Sequence, residues 1–294
     1  MGKKDQTTEF EKLKKDIQTY NEKLLNKQLL IIFSDVEIKH LKQVNKTKPK
    51  NIQKLQAIEL AFKKENFAHL AGVEKKSYTS LSISATEFYD KLLNGEIEAN
   101  NCKFSKFRNL KENIFTNLPN IFRSISIVGK YDYHKQDLDV EKVIGNTKEI
   151  AGAVLGISKV NSKIENPLIS RYFPKSLLNS RTQDLILPKT ERLILYIFEK
   201  TLEEKEYSKL LFKHKDFYID NIYNTKEFYD KLSNELKEKI KADIGIPSEK
   251  KIEEKIEKKV EEKTEKKITV AKSKWSKKLA KDKEVDLEID LWKE

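Results

Sequence analysis

The chain has 294 residues, with 59 Lys and Arg against 47 Asp and Glu, a formal charge of +12 at neutral pH. Hydrophobic residues make up 38 % and charged residues 36 %, against about 45–50 % and about 25 % in an ordinary globular chain. That is too polar for one core through the whole length. Eight Gly and six Pro exclude collagen-like and Gly-rich repeat architectures. A core of about 150–200 residues with polar helical extensions is expected.

A single cysteine, Cys102, forbids an intrachain disulfide framework. With the scattered His40, His69, His134 and His214 it forms no metal-ligand spacing, and no metal or other cofactor is expected. The start MGKKDQTTEFEKLKKD has no apolar stretch of the secretory kind. The most apolar short run, residues 29–33, is far below the ~20 residues of a membrane span. A cytoplasmic protein without membrane contact is therefore expected. The positive charge points to a polyanion, nucleic acid first and an anionic membrane surface second. All five arginines, Arg108, Arg123, Arg171, Arg181 and Arg192, fall within residues 108–192. A guanidinium forks onto phosphate or carboxylate as an ammonium cannot, so each is either a phosphate ligand or half of a structural ion pair.

Along the chain, Phe10, Leu13, Ile17, Tyr20 and Leu24 step by three and four, predicting a helix over residues 8–31. Residues 35–43 read as a second helix and residues 45–51 as a polar loop. Residues 56–73 are ambiguous at their start, and we read a short strand followed by a helical turn capped by Gly72. Ser84-Ala85-Thr86-Glu87 is a capping box opening a helix that stops near Gly95. Another helix is expected over residues 104–118. Strands are expected over residues 123–133, 149–157, 168–173 (closed by Pro174), 191–198 and 207–213. Asn224-Thr225-Lys226-Glu227 is a second capping box, opening a helix to about residue 242. The result is an α+β fold, N-terminal helices followed by a mostly antiparallel sheet.

Residues 249–268 repeat with a period of four, which drifts around a helix and makes a solvated spacer rather than a core face. The tail is basic, then acidic and apolar, and carries both tryptophans, Trp275 and Trp292. It reads either as a docking peptide for a protein partner or as a disordered end.

No P-loop, dinucleotide Gly-rich turn, HExxH or GxSxG motif is present. Acid/base chemistry on a phosphodiester, without a metal, remains. RNA carries its own nucleophile, the 2′-OH, so an enzyme needs a base, an acid and cations on the phosphate. His69, in Phe67-Ala68-His69-Leu70, is one candidate, with burial against a helix end as the alternative. His134, after Lys130-Tyr131-Asp132-Tyr133, stands at a strand end and reads either as a catalytic or RNA-stacking group or as an ordinary surface loop. His40 and His214 read as surface residues. Lys200, at the end of the fourth predicted strand, and Ser208, in the fifth, can face one cleft with Arg171.

The string FKKENFAHLAGV, residues 62–73, resembles a signature of the phage Barnase–EndoU–Colicin–RelE-like (BECR-fold) nucleases, fourth phage group. Residues 86–95 resemble the helix that follows its histidine motif, residues 172–178 a strand-end segment, and residues 194–200 with Glu206-Tyr207-Ser208 its closing hairpin. The resemblance spans about residues 55–215. It implies a nuclease core there, metal-independent RNA cleavage, and a setting of conflict between a mobile element and its bacterial host. Carried onto this chain, His69 is the leading catalytic candidate, followed by Lys200 and Ser208. Arg171, Tyr172, Lys130 and Arg108 are expected to contact RNA, Tyr172 by stacking on a base. The expected organisation is a helical region over residues 1–54, the nuclease core over 55–215, a helix over 216–245 and a charged tail over 246–294. The rival reading is a non-catalytic binding module on the same scaffold that interferes with a host complex.

Overall fold

The computed structural model describes residues 3–37, 55–105, 108, 116–135, 138–146, 152–161, 166, 168–215 and 220–244. By contacts the chain divides into two units, Met1–Lys237 and Glu238–Glu294. All sites discussed below belong to the first; of the second, the described residues are 238–244.

Helix α1 (Lys3–Lys23) buries the expected stripe of Phe10, Leu13, Ile17 and Tyr20. It ends four residues before β1 (Lys27–Glu37), and Asn26 takes the left-handed conformation (φ 59°) that an asparagine tolerates at such a reversal. The helix expected to residue 31 is thus corrected: residues 27–37 are a strand. The run Leu29-Leu30-Ile31-Ile32-Phe33 is buried throughout, because β1 pairs on both sides, with β2 (Leu55–Ala61) and with β7 (Arg192–Thr201). A strand flanked on both edges and covered on both faces reads as continuous apolar sequence.

That double pairing closes the sheet. The order β1-β2-β6-β5-β4-β3-β7 returns to β1, a seven-stranded barrel, and β8 (Lys209–Lys213) continues from β7 as a hairpin. The remaining strands are β3 (Ser126–Lys130), β4 (Lys142–Asn146), β5 (Gly152–Lys159) and β6 (Ile169–Ser180). The expected mostly antiparallel sheet is corrected to a closed, mixed barrel, with β2 and β6 parallel. Strand β4 was not foreseen. Strand β6 runs through Pro174 instead of stopping there. The proline sits opposite Ile157 beside a bulge, beyond the last residue paired with β2, so its missing N–H breaks no ladder bond on that side.

Three helices cover one face: α2 (Lys64–Leu70), α3 (Lys76–Thr79) and α4 (Ala85–Leu93). Ser84 Oγ accepts the Glu87 N–H at 3.1 Å, and Gly95 (φ 79°) ends the turn, as its sequence predicts. Tyr20 of α1 holds this layer together. Its ring packs at 5.4 Å on Phe67 and 6.1 Å on Tyr89, and its hydroxyl donates to the Lys63 carbonyl at 2.8 Å.

Of the helix expected over residues 104–118, Phe104 is instead bridged to Val73, Leu118–Arg123 is a 3-10 turn, and most of the rest lies outside the described residues. The single helix expected to residue 242 is broken. After α5 (Thr182–Leu185) and α6 (Asp220–Tyr223) come α7 (Lys226–Tyr229) and α8 (Asn234–Asp243). The break at residues 230–233 lets Leu232 form a parallel bridge with Tyr207. His40, the spacer over residues 249–268, Trp275 and Trp292 lie outside the described residues. No helix among the described residues is long and apolar enough to cross a membrane.

Candidate active site

Glu59 stands in the middle of β2, in LQAIELA, and is 5 % exposed. A carboxylate at such a place needs partners. The parallel register supplies the first, since Glu59 lies opposite Arg171 of β6, whose Nε is 3.3 Å from Glu59 Oε2. The broken C-terminal helix supplies the second, Lys231 Nζ at 2.8 Å from Oε1. The third is the Tyr207 hydroxyl, which donates to Oε1 at 3.3 Å. Tyr207 is held by the exchange that the helix break allows: its N–H donates to the Lys231 carbonyl (2.8 Å) and its carbonyl accepts the Ser233 N–H (2.9 Å).

Burial would push the Glu59 carboxyl up, but the Lys231 ammonium and the Arg171 guanidinium outweigh it and hold the group below the ordinary carboxylate range. Tyr207 is moved the other way: burial, then the Glu59 charge, pushes its phenol far above normal. At neutral pH the centre is therefore a carboxylate beside a protonated phenol and two cations. Lys200 extends it. Its Nζ sits 5.2 Å over the Tyr207 ring and donates to the carbonyls of Glu204 (2.9 Å) and Lys205 (3.1 Å). Burial draws the Lys200 ammonium below the ordinary lysine range; Glu59 opposes that shift, and Lys231 adds to it.

A cavity of about 570 Å³ opens onto this centre, lined among others by Glu59, His69, Arg171, Tyr172 and Lys175. His69 reaches it from the last turn of α2. The helix ends in a Schellman motif, in which Gly72 (φ 72°) and Val73 donate their N–H groups to the carbonyls of His69 (3.2 Å) and Ala68 (2.8 Å). Phe67, Ala68 and Leu70 turn inward, and the His69 ring is exposed. The alternative of a buried histidine is thereby excluded.

The structure brings His69 and Arg171 to one cavity and places Lys200 within electrostatic reach of Glu59 and Arg171. It does not bring the other candidates there. Ser208 is exposed in the β7–β8 hairpin, where its hydroxyl donates to Glu204 Oε1 at 3.5 Å. Tyr172 is 5 % exposed and packs in the main core, so its ring face is not offered to a base. Lys130 lines a second cavity together with His134.

Arg108 is 1 % exposed and serves the core. Its Nη2 lies 2.7 Å from Asp16 Oδ2 and its Nε 3.4 Å from Glu9 Oε2, contacts of charge rather than of aligned hydrogen bonds, while Nη1 donates to the Ala71 carbonyl at 2.9 Å. It ties α1 to the end of α2 and cannot reach RNA. His214, expected at the surface, is buried beside Phe212. Among the described residues no group of three or more His, Cys, Asp and Glu side chains is placed to hold a metal ion.

Sequence reasoning missed Glu59 and Lys231. The first left one signal, an acid inside a strand otherwise fit for full burial; the second left none.

No curated protein matches the chain, and no solved structure does. One family model does match, over residues 12–216, which takes in β1 and most of α1 as well as the segment whose motifs carried the resemblance. With that span reaching from the first helix through the barrel that builds the Glu59 centre, the chain belongs to the phage Barnase–EndoU–Colicin E5/D–RelE-like nucleases, group 4.

Proposed function

We propose that the protein is a ribonuclease that cleaves RNA by general acid/base chemistry without a metal, with the scissile phosphate seated in the cavity between Glu59, His69 and Arg171. The observation that carries this reading is the convergence of an ionised carboxylate, an exposed imidazole and a guanidinium on one cavity. In this scheme Glu59 takes the proton from the 2′-OH as that oxygen attacks phosphorus, and His69 gives a proton to the departing 5′-oxygen. The products are a 2′,3′-cyclic phosphate and a free 5′-hydroxyl. Arg171, which keeps 67 % of its side chain exposed while touching Glu59, faces the charge that develops on the non-bridging oxygens. Lys231 and Lys200 add positive potential. Nucleic acid is then the partner, the bacterial cytosol the setting, and an element-encoded toxin acting on its host the role.

One observation favours the rival, a binding module that does not cleave: three donors, Arg171, Tyr207 and Lys231, already occupy most of the lone-pair sites of Glu59 before substrate arrives. Incubating the protein with total RNA in EDTA, beside His69→Ala and Glu59→Gln, separates the two. Cleavage with cyclic-phosphate ends, lost in both variants, supports the enzyme; binding without cleavage supports the module.

A further inference from the structure

A second cavity, of about 490 Å³, opens on the other side of Tyr172, which lines both. Its floor has a feature that the fold alone does not account for. Lys130 at the end of β3 and Lys142 at the start of β4 are direct partners in the antiparallel register. Like charges facing each other across a strand pair are unfavourable. Among the described residues neither ammonium has a carboxylate at ion-pair distance. Lys159 of β5 lines the same cavity. The acids nearby are turned to the backbone: Glu141 Oε1 accepts the Lys159 N–H at 3.0 Å, and Asp132 Oδ1 accepts the His134 N–H at 3.1 Å. Burial, and then the facing Lys130, draws the Lys142 ammonium below its ordinary range, against the opposing charge of Glu141. Tyr133 lines the same cavity, 63 % exposed, its ring set edge-on to the buried Tyr131 at 5.5 Å.

We infer that this second cavity is a nucleotide subsite for the strand cut in the first, holding a flanking phosphate on Lys130, Lys142 and Lys159 and stacking its base on Tyr133. Phosphate placed between the facing ammonium groups relieves their repulsion, and an exposed aromatic beside a basic floor is the arrangement that binds single strands. Tyr172 is the rib between the two sites: on β6 it pairs with Leu60 of β2 on one side and Lys159 of β5 on the other. The inference rests on the ribonuclease reading for the course of the strand but predicts binding by itself.

The test uses fully 2′-O-methylated oligonucleotides, which have no nucleophile and cannot be cut, with fluorescence anisotropy on the intact chain. Tyr133→Ala, at an exposed position, weakens binding of a hexanucleotide by about 5-fold or more and leaves a dinucleotide unchanged. Lys130→Gln reduces the salt dependence of hexanucleotide binding by about one counterion. If both variants bind the hexanucleotide as the wild type does, at every salt concentration, the subsite is refuted even where wild-type protein cleaves RNA. If the wild type binds the hexanucleotide through these residues but cuts no RNA, the subsite stands and the catalytic reading falls. Absence of binding to either oligonucleotide overturns both.

Discussion

Glu59 and Arg171 are 112 positions apart in the chain and directly opposite in space, partners in the one parallel pair among the named strand pairings, with Nε and Oε2 3.3 Å apart. Each serves the other: the guanidinium helps keep a buried carboxyl ionised, and the carboxylate fixes a largely exposed guanidinium at the mouth of the cavity.

Glu59→Gln keeps the shape and an acceptor for Lys231 and Tyr207 but removes the base. On the proposed mechanism the cleavage rate falls about 10²–10⁴-fold, while circular dichroism stays close to wild type and the melting temperature falls only by the share of stability that the ionised carboxylate supplies. A variant that keeps the wild-type dichroism and still cuts RNA at the parental rate eliminates Glu59 as the base.

Acid should loosen the fold through the same group. The folded carboxyl titrates below its unfolded value of about 4.3, so its contribution to stability is complete above that value and is lost as pH falls through the lower, folded one. Lys231→Met removes the larger source of the depression. Acid titration followed by tryptophan-independent far-ultraviolet dichroism should place the variant's unfolding at a higher pH than the wild type's.

How much of this was legible in the sequence differs from residue to residue. Phe67 and Leu70 fall three apart on the inward side of α2, which turns His69 out, and Gly72 marks the helix end, so that segment could be read locally. Residues 29–33 could not, because a heptad-like stripe runs up to them and only pairing on both edges decides for strand. Pro174 reads as a stop in the sequence, because the bulge beside Ile157 leaves no mark there. Lys231 acts through a helix break and a bridge to Tyr207, both products of tertiary contact.

Arg108 and Arg171 should respond unequally. Arg108→Met removes the guanidinium from between the buried Asp16 and Glu9, of which Glu9 keeps Lys12 at 3.2 Å, and should cost about 3 kcal/mol in urea unfolding. Arg171→Ala, at an exposed side chain, should lower the urea midpoint much less, because Lys231 and Tyr207 still serve Glu59, while RNA cleavage drops. Equal effects on stability would show that the two arginines do not divide their roles this way.

Gly145 of β4 offers a check on the barrel. A Cβ there would collide with Thr182 Oγ1, which donates to the Asn146 carbonyl at 3.0 Å and so docks α5 on the strand. Gly145→Ala should destabilise by about 1–3 kcal/mol, measured as a lower melting temperature, and Thr182→Ser should recover part of the loss only if the clash includes the Thr182 methyl.

The lysine that neutralises Glu59 is separated from it by 172 positions and lies beyond the segment matched to the family, residues 12–216. A ribosome therefore releases the acid long before its ammonium counterpart. Every nascent or clipped product ending before position 231 carries the barrel's central charge uncompensated on that side. Expression of a fragment trimmed to the family boundary would purify a different electrostatic object from the native one.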